Sequence, residues 1–155
     1  LNGEEHEDTL REANNYASTL IGLDRFEEAK SLLRKTIPVA RRVLGESREY
    51  TLRMRWCYGQ ALYKDPAATL DALREAVTTL EEIEPIARRL LGGAHPLVMV
   101  MQQRDLKGAR AALAARETPE AEKLAQDAFR TARAKVAQER SELADAMAAM
   151  TTENA

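Results

Sequence analysis

Turn-forming residues are scarce. The 155-residue chain holds 7 glycines and 5 prolines, too few breaks for a many-stranded β fold. Its one cysteine, Cys57, allows no internal disulfide and no cysteine-built zinc cluster, and makes a reducing cytoplasm the default compartment. No apolar run approaches the ~20 residues that span a bilayer. The first ten residues carry Glu4, Glu5, Glu7 and Asp8 and no apolar stretch, so a secretory leader is not expected there. An excess of either charge is also lacking. The 23 Lys+Arg and 25 Asp+Glu leave a net charge of −2. Nucleic-acid binding by bulk positive charge needs a basic excess, as does a polybasic membrane anchor, so neither partner is expected.

What the chain has in abundance is alanine, leucine, glutamate, arginine and lysine, the residues that favour helices. It also repeats itself. The run Gly3 to Leu10 is similar to Gly45 to Leu52, and both are similar to Gly92 to Met99. Thr9 and Thr51 are 42 residues apart, and Arg48 and His95 are 47 apart. Ala40-Arg41-Arg42-Val43-Leu44-Gly45 returns as Ala87-Arg88-Arg89-Leu90-Leu91-Gly92, and Pro38 as Pro85. Self-similarity at such a period is the mark of a stacked helical repeat. The extra length of the second repeat falls around Asp65-Pro66.

Apolar spacing predicts the helices. Leu10, Ala13, Ala17, Leu20 and Ile21 mark one over 9–22. A turn at Leu23-Asp24-Arg25 follows, then a longer helix from Phe26 to Leu44, closed by Gly45. The second repeat reads as a helix over 51–64 and another ending near Leu91. Prolines inside the second helix of each repeat remove a backbone hydrogen bond and suit a curved stack. Thr118-Pro119-Glu120 is a strong helix start. The helix it opens has a charged outer face and reads as a cap over the last repeat. Phe129, Val136, Leu143 and Met150, seven apart, also allow a dimer seam.

The first repeat resembles a tetratricopeptide repeat (TPR) of the kinesin-light-chain type. The residues that carry this are Gly3 with His6-Glu7-Asp8-Thr9, Asn14-Asn15-Tyr16-Ala17, Arg25-Phe26-Glu27-Glu28-Ala29 and Val43-Leu44-Gly45. The repeat is about 42 residues rather than about 34. The second repeat has Trp56-Cys57 where the asparagine pair stands in the first. The third keeps little beyond Leu91-Gly92 and His95-Pro96. The resemblance covers about two thirds of the chain and implies an all-α, right-handed TPR superhelix with a long C-terminal capping helix. It implies one domain over 1–155: repeat one over about 3–45, repeat two over about 45–92, a degenerate third over about 92–117 and a closing helix over about 118–150.

The function this architecture implies is a non-catalytic scaffold that holds a peptide or protein in its concave groove. The resemblance maps the groove to Arg11, Asn14, Asn15, Ser18 and Ile21 in repeat one, and to Arg53, Trp56, Gln60 and Tyr63 in repeat two. Asparagine can hold a peptide backbone by donating and accepting. Arg11 and Arg53 would meet carboxylates, so an acidic peptide is expected. Trp56 alternates between groove and core in this reading, while Tyr16 and Tyr58 are expected in the core. Two alternatives stay open. One is a self-assembling unit that forms homo-oligomers through an open end or its last helix. The other is an enzyme or metal site at His6, His95 or Cys57. Both histidines fall at the same inter-repeat position, where a role in capping or packing the turn is expected, and Cys57, with no histidine nearby in sequence, reads as a small buried hydrophobe. No catalytic residue, metal or cofactor is expected.

Overall fold

A computed structural model of the chain describes the backbone over 2–153, and side chains over 6–118 and 121–150. Among the described residues there is helix and no strand, the all-α helical-repeat fold expected. The chain divides into two compact units, Leu1–Ala115 and Arg116–Ala155. In the first, α1 (Asn2–Gly22), α2 (Phe26–Val43), α3 (Glu49–Lys64) and α4 (Leu70–Leu91) are followed by α5 (Pro96–Val100), a π-helical turn (Met101–Leu106) and α6 (Lys107–Arg116). The second unit holds α7 (Pro119–Glu153), which begins at the proline that the sequence marks.

Two corners show why the repeats are equivalent. Gly45 and Gly92 close α2 and α4 at φ of +99° and +93°, a region open to glycine without penalty. Three residues later Arg48 and His95 take the extended conformation that starts the next helix. The His95 Nδ1 accepts the Leu97 backbone N–H at 3.2 Å, which satisfies one of the open donors of a helix start. This is the capping role expected of a histidine at that turn. The first corner is different. Residues 3–9 lie inside α1 rather than in a turn. Gly45 and Gly92 each end a preceding helix at positive φ, whereas Gly3 stands within the first turn of α1 and closes no described helix. His6 is accordingly an exposed mid-helix residue and caps nothing.

The core lies between the helices in two connected parts. Leu10, Ala17, Leu20, Phe26, Leu33 and Met54 fill the space between α1, α2 and α3. Leu62, Leu80, Ile83, Val98, Met101 and Leu106 fill that between α3, α4 and the helix that follows. Tyr58 packs against both, so it is partly core as expected. Tyr16, also expected inside, is 54% exposed; it follows Asn14 and precedes Ala17, and those two take the inward positions of that turn. Charged contacts tie the layers together. Lys30, itself buried, bonds Asp65 at 3.1 Å, and Arg55 reaches Glu82 at 2.7 Å.

The long C-terminal helix expected from the sequence is present and forms the second unit. Leu124, Phe129, Val136, Leu143, Met147 and Met150 are all more than half exposed.

Helices α3 and α4 pack tightly at Gly59. A Cβ there would lie 2.9 Å from Cγ and Cδ2 of Leu80, which is fully buried. Gly59→Ala should therefore cost about 1–3 kcal/mol by overpacking, read as a lower urea midpoint for the first unit. A midpoint unchanged or raised would show that the two helices have room to separate.

Candidate peptide-binding face

On α1, residues 11, 15 and 18 fall on one stripe, since positions three and four apart share a helix face. Arg11, Asn15 and Ser18 are all exposed. The neighbouring stripe points inward. Asn14 is 7% exposed, as is Ile21, and Asn14 Oδ1 accepts the Cys57 thiol at 3.6 Å. The asparagine pair is thus split, with Asn14 serving the α1–α3 contact and Asn15 facing out. Both candidate arginines have an acid on their own helix. Arg11 meets Asp8 at 2.7 Å, and Arg53 bonds Glu49 through Nε at 2.9 Å and Nη2 at 2.7 Å.

The three remaining candidates on α3 converge on a residue the sequence did not single out. Trp56, Gln60 and Tyr63 stand at intervals of four and three on α3 and are half-buried. All three donate to Asp105, in the π-helical turn: Trp56 Nε1 at 2.7 Å, Gln60 Nε2 at 3.0 Å and the Tyr63 hydroxyl at 2.7 Å. Arg104 adds two bonds at 3.1 Å from Nε and Nη2. Asp105 is fully buried. Burial alone would raise its pKa, but the bonds from Arg104, Tyr63, Gln60 and Trp56 outweigh that and hold it below the ordinary 3.8. Burial, then the Asp105 carboxylate beside it, push the Tyr63 hydroxyl the other way, so it stays protonated and donating. The ring of Tyr63 lies over Gly108 of α6, where a Cβ would come within 3.2 Å of Cε2. The signal for Asp105 was present in the sequence only as three donors on one stripe that need an acceptor.

Beside Trp56, a shallow apolar crevice runs between α3 and α5. Leu52, Arg53, Trp56, Leu97 and Met101 line it, with a free volume of about 10 Å³. That space is too small for a ligand to enter, so the crevice is a surface contour.

The chemistry considered for His6, His95 and Cys57 has no shared site among the described residues. His6 stands in α1, His95 caps α5, and Cys57 is buried against Asn14. Burial pushes the Cys57 thiol up to about 11, the wrong direction for a nucleophile. Among the described residues no three His, Cys, Asp or Glu side chains come together to hold a metal ion, and no helix is long and apolar enough to cross a membrane.

Residues 9–48 match the family model of a tetratricopeptide repeat, a repeat type that generally mediates protein–protein interactions and is generally non-catalytic. The matched stretch takes in most of α1, all of α2 and the corner after it. No curated protein and no solved structure matches the chain.

Two predictions follow from the Asp105 cluster. Asp105→Ala leaves three buried or half-buried donors without an acceptor and should cost about 2–4 kcal/mol in chemical denaturation. The carboxylate has a depressed pKa in the folded state, so its stabilisation is complete above 3.8, the ordinary value, and is lost as pH falls through its lower folded value. Asp105→Asn should therefore flatten the acid limb of the stability–pH curve. An unchanged acid limb would mean that the carboxylate charge contributes nothing to folding.

Proposed function

We propose that the first unit is a non-catalytic interaction scaffold that takes an acidic peptide, or an acidic segment of a protein, along the outward side of α1 and α3. The observation that carries this reading is the uncommitted stripe on α1. Asn15 and Ser18 are exposed next to Arg11, at positions to which the repeat's groove maps. An asparagine amide so placed can pair with both polar groups of an extended peptide backbone. Arg11 and Arg53 can exchange their exposed intrahelical acids for a ligand carboxylate, because such surface pairs hold only about 0–1 kcal/mol. The partly exposed ring of Trp56 offers a flat apolar face to one apolar side chain.

Asn14, Gln60 and Tyr63, tied to Cys57 and Asp105, shape this face from within. Arg11, Asn15, Ser18, Arg53 and the Trp56 ring are the residues proposed to touch the ligand. The 42-residue spacing and the Asn14-Asn15 pair favour the kinesin-light-chain type of repeat. The near-neutral charge of −2 favours a protein partner over nucleic acid. A cytoplasmic setting, in which Cys57 stays a thiol, fits the same reading.

A peptide array probed with the purified chain tests it. Acidic peptides with one bulky apolar residue should bind, and their affinity in solution should fall about tenfold with Asn15→Ala, a loss of one or two hydrogen bonds. Arg11→Glu should weaken them further and remove the preference for acids. Peptide binding indifferent to both substitutions would place the partner surface elsewhere.

A further inference from the structure

Helix α7 carries a self-complementary seam. Phe129, Val136 and Leu143 are 70%, 56% and 63% exposed and stand seven residues apart, a spacing that Met150 continues. Such residues form one stripe along a helix, and a left-handed supercoil keeps that stripe facing a partner helix. Three residues after 122, 129, 136 and 143 come Ala125, Ala132, Glu139 and Ala146. One side of the seam is therefore large and the other small. From size and charge together we infer that the occupant is a second copy of α7 running antiparallel. This inference stands apart from the peptide-binding face and does not rest on it.

The register follows from residue size. With the two-fold axis between Val136 and Glu139, Phe129 packs on Ala146 of the second copy. Leu143 then packs on its Ala132, and Met150 on its Ala125. Phe129, Leu143 and Met150 each meet an alanine, the condition for interdigitation without voids, while at the two-fold axis Val136 meets Glu139 of the other copy, whose carboxylate reaches out past it to water. A parallel pair stacks large on large and alanine on alanine, leaving alternate layers open.

Charge selects the same arrangement. In the antiparallel register Lys135 flanks Glu142 of the other copy, and the two-fold makes this pair twice. Glu142 already accepts a hydrogen bond from Gln138 at 3.0 Å on its own helix, which leaves its second oxygen for the lysine. On the opposite flank Arg133 approaches Arg140 of the second copy, also twice, and Glu139 of the seam, next to Arg140 in sequence, offsets part of that repulsion. A parallel pair sets Glu139 against its own counterpart in the seam and Lys135 beside Arg140, with no compensating pair at either place. Mismatched charge of this kind is how coiled coils exclude an orientation.

Sedimentation of the full chain over a concentration series tests the inference. A monomer–dimer equilibrium is expected, abolished by Val136→Glu with Leu143→Glu. Lys135→Glu, a surface change that leaves the apolar seam intact, should raise the dimer dissociation constant on the order of fivefold, because two attractive pairs become repulsive. Adding Glu142→Lys should restore it. A parallel dimer would instead be strengthened by Lys135→Glu, which relieves its contact with Arg140. Strengthening, a dimer indifferent to the seam substitutions, or a monomer at every concentration would each overturn the proposal.

Discussion

A carboxylate with no access to water must be matched by donors or it destabilises the fold. At Asp105 that requirement joins α3 to the segment that follows α4. The carboxylate sits in the π-helical turn between α5 and α6, and three of its donors come from a single stripe of α3. Because Trp56, Gln60 and Tyr63 span two turns of α3, the bonds fix both the height and the rotation of the following helix against it. The π-helical turn is where the helix adjusts. A turn with one extra residue shifts the side-chain register, and here that turn contains both Asp105 and Arg104. This polar contact and the apolar one through Val98, Met101 and Leu106 keep the segment after α4 within the first unit.

Helix α3 consequently carries most of the packing of that unit. Met54, Cys57 and Ala61 serve the core with α1 and α2, Leu52 and Leu62 that with α4 and the third repeat, and Gly59 lets Leu80 approach its backbone. Little of its surface is left uncommitted. Helix α1 has no preceding helix among the described residues, and its outward stripe keeps Arg11, Asn15 and Ser18 exposed. The face proposed to bind a partner is therefore unequal along its length. Exposed polar groups stand at the α1 end, and an anchored aromatic ring at the α3 end, where its indole N–H is already bonded to Asp105. A ring fixed in this way loses little freedom on binding, which favours affinity.

Much of the fold was legible from apolar spacing and turn chemistry. The helices at 26–43, 49–64 and 70–91, the turn at Asp65 and the start at Pro119 all come from patterns local in sequence. So do the corners at Gly45 and Gly92, where a positive φ demands glycine. The first corner misled because its likeness to the others lies in residues such as Gly3 and Thr9, whereas a glycine makes a corner only where it closes a preceding helix, as Gly45 and Gly92 do. Asn14 and Asn15 read as a pair, but adjacent helix positions are about 100° apart, so one had to turn inward. Asp105 was legible only indirectly, through three donors on one stripe of α3: Trp56, Gln60 and Tyr63 lie more than forty residues away from it, and helical periodicity carries no mark of a π-helical turn. The apolar spacing on α7 was visible, while which surface covers it is a question of size and charge across two helices.

Native-state hydrogen exchange on the full chain tests the central claim, that Asp105 binds the segment after α4 into the first unit. The account predicts that amides over 107–116 exchange only as slowly as those of α3 allow, with both sets opening together, and that Asp105→Asn releases the former while the α1–α2 amides keep their protection. Fast exchange over 107–116 in the unmodified chain, or protection there unaltered by Asp105→Asn, would contradict it.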